Sequence, residues 1–112
     1  CISEINGCNY CLTAHTAIGK GTGLTENEIM ASRKGESTDS KTQAGLEFVR
    51  TVVSNHGWVS DEDYKAVQNA GFSKEEIIEM IALVAKNIFA NYFNHISGTA
   101  IDFPAVPSLK EE

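Results

Sequence analysis

Apolar residues in this chain recur at spacings of three and four, and each run is bracketed by polar or glycine-rich punctuation. That is the helical period, because 3.6 residues per turn brings i, i+3, i+4 and i+7 onto one face. Residues 1–5 read as the end of a helix, broken at Asn6-Gly7. From 8 to 20, Tyr10, Cys11, Ala14, Ala17 and Ile18 form the next stripe, which Gly19, Gly21 and Gly23 stop. Thr25 and Glu28 make a capping box opening a short helix with Ile29 and Met30, closed at Lys34-Gly35. The small polar stretch 35–40 reads as an exposed loop.

From 40 to 55, Ala44, Phe48, Val49, Val52 and Val53 make an amphipathic stripe with Gly57 at its end. His56, beside that glycine, is expected to complement the helix dipole there. Trp58 and Val59 are expected to anchor the following turn in the core. Ser60 then caps a short helix with Asp61, Glu62 and Asp63 in its first turn, Tyr64 and Val67 inward and Gly71 as its stop.

The longest run begins at Ser73, with Glu76 completing another capping box, and ends at Gly98. Between them stand Ile77, Ile78, Met80, Ile81, Leu83, Val84, Ile88, Phe89, Tyr92, Phe93 and Ile96. So many large apolar residues exceed one stripe, so a second buried face is expected, covered by another subunit or by helices preceding this sequence. Residues 99–112, with Pro104 and Pro107, cannot continue the helix and are expected to form an extended tail along the surface.

No segment alternates as a strand would, so the expected fold is all-α, a bundle of about five to six helices. The absence of a βαβ pattern excludes a thioredoxin fold. At 112 residues, without a shift in composition, residues 1–112 form one domain with a modest core. A formal net charge of −6 argues against nucleic acid or an anionic membrane surface as partner. No apolar run reaches the roughly 18 residues that span a bilayer, and no signal-peptide pattern is present. The start at Cys1 without an initiator Met leads to the expectation that N-terminal helices precede this chain.

All three cysteines lie within the first eleven residues, an odd number unlike the even frameworks of small secreted domains. A reducing cytoplasm fits better, and there a CxxC is redox or metal chemistry rather than a staple. Cys1 reads as an ordinary small buried residue. In a helix, Cys8, Cys11 and His15 fall within roughly 60° of one another. The Asn6-Gly7 turn puts Cys8 near a helix start, where unpaired N–H groups and the dipole favour a thiolate that a histidine can deprotonate. Glu4, one turn before Cys8, is a candidate for the same pocket. His95, beside Asn91 and Tyr92, is a weaker candidate, with capping or an interface as its plainer role.

The run Cys8-Asn-Tyr-Cys11-Leu-Thr-Ala-His15, led in by Ser3-Glu4-Ile5-Asn6-Gly7, resembles the C-x-Y-C-x-x-x-H signature of AhpD-like alkylhydroperoxidases in the carboxymuconolactone decarboxylase superfamily. Asn91-Tyr92-Phe93-Asn94-His95 and Ile101-Asp102-Phe103-Pro104 resemble the closing segment of its peroxidase-related branch. The resemblance implies that Cys11 meets the peroxide, Cys8 resolves it to a disulfide and His15 belongs to a proton relay. It implies a hydroperoxide substrate, an external dithiol reductant, a homo-oligomer, and no metal, flavin or haem. The family motif also has a glutamate further upstream than this sequence reaches, and AhpD itself has a histidine where Tyr10 stands.

Other readings stay open on the residues alone. Cys8, Cys11 and His15 supply three ligands for zinc, but a structural site needs four, and Glu4, His56 and His95 are distant or beyond the turn. The pair could be two inert buried helix residues, or a non-catalytic redox sensor in an oligomeric module. A lactone decarboxylase has only superfamily analogy behind it.

Overall fold

A computed structural model describes residues 1–109 and contains six helices, with no strand among the described residues. They are α1 (Ile2–Asn6), α2 (Asn9–Gly21), α3 (Glu26–Lys34), α4 (Ser40–Ser54), α5 (Asp61–Asn69) and α6 (Lys74–Ser97). The all-α reading holds, and the helix starts fall where the caps predicted them. Thr25, Ser60 and Ser73 each accept from the backbone N–H three residues on, and Glu28, Asp63 and Glu76 reach back to the cap's own N–H. Each cap of this kind is worth about 1 kcal/mol. Asp39 caps α4 by accepting from the Thr42 N–H, a signal hidden in the polar stretch read as loop.

Phe48, Val67 and Ile77, one each from α4, α5 and α6, form the centre of the core, with Val52, Val59, Tyr64, Phe72 and Met80 packed around them. Burying each such side chain contributes about 1.5–3 kcal/mol. Gly45 lets α4 approach this cluster closely. A Cβ there would sit 2.9 Å from the Phe72 ring.

The five-residue α1 is too short to be stable alone, yet it packs against α2, α3, α4 and α6. Ser3 and Glu4 on it are both buried. The shortest helix is therefore the one that α2, α3, α4 and α6 meet around.

Several expectations change on contact with the packing. Trp58 is 83% exposed, not an anchor, while Val59 packs on the core. The chain from 58 to 60 is not helical, and it turns Val59 inward while leaving Trp58 in solvent. On α2 the buried residues are Cys11, Leu12, Thr13 and Ala14, and Ile18 is exposed. That helix also runs through Gly19 and Gly21 before ending. On α6 only Ile77, Val84 and Asn91 are buried, and Ile78, Phe89, Phe93 and Ile96 face outward.

The tail crosses back over α2. The Phe103 ring meets Tyr10 edge-on at 6.2 Å, and the Val106 N–H donates to Thr13 Oγ1 at 3.3 Å. At Ser108 the tail is anchored rather than laid on the surface, since that residue is buried and donates to Glu4. The expected tail continues over 110–112, which lie outside the described residues.

Candidate functional site

The junction of α1 and α2 is built by one glycine. Gly7 takes a left-handed conformation, φ 68° and ψ 32°, which closes α1 and lets the Cys8 N–H donate to Ser3 O at 3.0 Å. The chain is then redirected at once, and Cys8 becomes the N-cap of α2. Its sulfur accepts from the Cys11 N–H at 3.3 Å. Where α3 to α6 use a hydroxyl or a carboxylate as cap, α2 uses sulfur.

Cys8 and Cys11 are joined by a disulfide, with their Cα atoms 5.3 Å apart. The two residues are 1% and 4% exposed, so the pair is shut in beneath the surrounding helices. Cys1 is a free cysteine of intermediate exposure, at the N-cap of α1.

The last turns of α6 close over this junction. Asn94 Nδ2 donates to Cys11 Sγ at 3.3 Å, and Asn94 Oδ1 accepts from Thr99 Oγ1 at 2.7 Å. One turn back, Asn91 is fully buried. Its Nδ2 donates to Ser3 Oγ at 3.2 Å and its Oδ1 accepts from Asn6 Nδ2 at 3.0 Å. His95 Nε2 lies 3.3 Å from Gly7 O, on the exposed side of the same turn. Three residues of α6 thus grip the backbone and side chains that present the two sulfurs.

The other sequence candidates divide. His15 follows Cys11 by one turn but lies on the exposed side, without a hydrogen bond to either sulfur. Partial desolvation, with the positive charge of Lys86 adding to it, lowers its pKa below the ordinary 6.5. At neutral pH the ring is uncharged and able to accept a proton. Glu4 does not turn towards the thiols. Its carboxylate accepts from Arg33 Nε at 2.9 Å, Ser108 Oγ at 3.1 Å and the Leu109 N–H at 2.6 Å. Arg33 also donates to Pro107 O, so this buried pair holds the tail.

His56 lies past the end of α4 with φ 54° and is exposed. Among the described residues, no group of three or more His, Cys, Asp or Glu is placed to hold a metal ion. A hollow of about 490 Å³ between α1, α4 and α6 is walled by Val53, Ile81, Val84, Ile88 and Tyr92. Neither cysteine lines it, so it is not the direct approach to the sulfurs.

Sequence reasoning gave Asn94 and Arg33 no role. Asn94 had a signal, since Asn87, Asn91 and Asn94 recur at helical spacing on a helix rich in large apolar residues. Arg33 had none.

No helix among the described residues is long and apolar enough to cross a membrane. No curated protein matches the chain. Residues 2–51, which carry Cys8, Cys11 and His15, match the model of the carboxymuconolactone decarboxylase family, the superfamily to which the motif pointed.

Proposed function

We propose that this protein is a thiol-dependent peroxidase that reduces hydroperoxides through the Cys8/Cys11 pair. The observation that carries the reading is that pair: two buried sulfurs within bonding distance at the start of a helix, in the family segment. The disulfide is the oxidised end of the cycle.

In the reduced form the Cys11 thiolate attacks the distal oxygen of the hydroperoxide. The S–O bond forms as the O–O bond breaks, and the alkoxide leaves and takes up a proton as the alcohol. Sulfur is oxidised by two electrons and the peroxide is reduced by two. Cys8 then attacks the sulfenic sulfur, so that S–S forms, S–O breaks and hydroxide departs as water with the proton of the Cys8 thiol. An external dithiol returns two electrons and two protons through a mixed disulfide. His15, uncharged at neutral pH, takes the proton from Cys11 through an intervening water. A reducing compartment such as the cytoplasm would keep that dithiol supplied.

The outward apolar residues of α6, among them Phe89 at 73% and Ile96 at 89% exposed, fit a second copy of this chain. A homo-oligomer would supply the covering that the single chain lacks.

Steady-state consumption of an organic hydroperoxide with a dithiol reductant tests the reading. Cys11→Ser should abolish turnover, and Cys8→Ser should leave a trappable sulfenic acid on Cys11. Turnover that survives Cys11→Ser refutes the assignment. A single round of disulfide formation without turnover would indicate a redox sensor built on the same pair.

A further inference from the structure

We propose that Asn94 is a positioning residue that holds negative charge on Cys11 rather than on Cys8, with the Thr99 hydroxyl fixing the orientation of its amide. The inference rests on Cys11 being the thiol that meets the peroxide. It concerns a part of the chain outside the family match, which ends at residue 51.

When the disulfide opens, two sulfurs share one buried site, and each already has one N–H donor. Cys8 has the backbone N–H of Cys11 at 3.3 Å, which any N-cap cysteine in a CxxC would receive. Cys11 has the Asn94 amide, also at 3.3 Å. A donor to an anion is worth far more than one to a neutral thiol, and more again where water is excluded. The side-chain donor is therefore what distinguishes the second cysteine.

The amide is held in one orientation. Thr99 Oγ1 donates to Asn94 Oδ1 at 2.7 Å, leaving Nδ2 to face the sulfur. Reversing the amide would set its oxygen against a thiolate. Thr99 reaches Asn94 because Gly98 caps α6 in a left-handed conformation, φ 59°, folding the chain back so that the Thr99 N–H also meets Asn94 O at 3.4 Å. Ser97 Oγ donates to Phe93 O at 2.8 Å and lies 2.9 Å from Thr99 Oγ1. The helix end is thus shaped to present one N–H to Cys11.

The neighbouring titratable groups do not take this part. Glu4 on α1 and Arg33 on α3 are paired with each other, and His95 on α6 lies against the Gly7 carbonyl. His15 on α2, with Lys86 of α6 acting on it, makes no hydrogen bond to sulfur, and Tyr10 packs on Phe103.

The test is the pH dependence of Cys11 alkylation by iodoacetamide, mapped by mass, in a Cys8→Ser background. Asn94→Ala should raise the midpoint by about one pH unit, a roughly tenfold loss of thiolate at neutral pH. Thr99→Val should shift it the same way by less, and Thr99→Ser should leave it unchanged. An unmoved midpoint in a folded Asn94→Ala protein overturns the proposal. If Asn94→Ala does not fold, Thr99→Val and Thr99→Ser decide it, and identical midpoints overturn it. Shifted midpoints without hydroperoxide turnover would uphold Asn94 and sink the peroxidase reading. Turnover with unmoved midpoints would do the reverse.

Discussion

Ser3 and Glu4 are neighbours on α1, both buried, and they enter two polar clusters of opposite character. Glu4 faces Arg33, and the side chains of this ion pair are 8% and 7% exposed, with Ser108 and the Leu109 N–H completing it. Ser3 faces Asn91, and that cluster, with Asn6, is made of neutral amides and a hydroxyl. The charged cluster locks the tail to the body. The neutral one seats the turn that presents Cys8 and Cys11. Keeping fixed charge out of the second cluster leaves a thiolate as the charge that the nearby N–H donors respond to, which is the condition for tuning it.

The largest effect should come from breaking the ion pair. Arg33→Ala leaves Glu4 buried without its cation and should cost about 3–5 kcal/mol in urea unfolding, whereas replacing both residues by apolar ones of similar size should recover most of that. The pH dependence has a definite sign. Burial pushes the Glu4 carboxyl up, but the Leu109 N–H, Arg33 and Ser108 together hold it below its ordinary value of 4.5. The contribution is therefore complete above that ordinary value and is lost as pH falls through the lower folded one. A wild-type acid profile matching that of Arg33→Ala would remove the distinction between the clusters.

Asn91→Asp tests the neutral cluster with nearly the same shape. A carboxylate there has hydrogen-bond donors but no cation among its contacts, Ser3 and Asn6. It should cost about 1–3 kcal/mol at neutral pH. Burial raises the folded pKa of such a carboxyl, so stability should be full below the unfolded value of about 3.9 and fall as pH rises through the folded one. The slope is opposite to that given by Glu4. Equal slopes in the two experiments would mean that the clusters do not differ in their tolerance of charge.

What could be read from the sequence was local. Thr25, Ser60 and Ser73 declare helix starts because a cap and its partner lie three residues apart, and the same closeness made Cys8, Cys11 and the Gly7 turn legible. Glu4–Arg33 and Asn94–Cys11 join residues 29 and 83 apart. Such pairs are created by how α1 and α2 pack against α3 and α6, and no period along the chain encodes that. Trp58 was misread for a related reason. Size and apolarity suggest burial, but the face on which a residue falls is set by the turn before it, where His56 and Gly57 both take positive φ. Glu4 was placed one turn from Cys8 correctly, and what turned it away from the thiols was a partner on α3.

The smallest expected effect separates two ties from α6 to one turn. Asn91 reaches Asn6 in the interior, and His95 reaches the carbonyl of the next residue, Gly7, at the surface. Asn91 is fully buried while His95 is exposed, so water replaces the second bond far more readily than the first and the stakes differ. His95→Ala should change unfolding stability by less than about 0.5 kcal/mol. It should also leave the alkylation midpoint of Cys11 where it was, because Asn94 still holds the sulfur from the neighbouring position. A loss near that of Asn91→Asp would place the grip on the thiol turn at its exposed edge instead of in the buried amides.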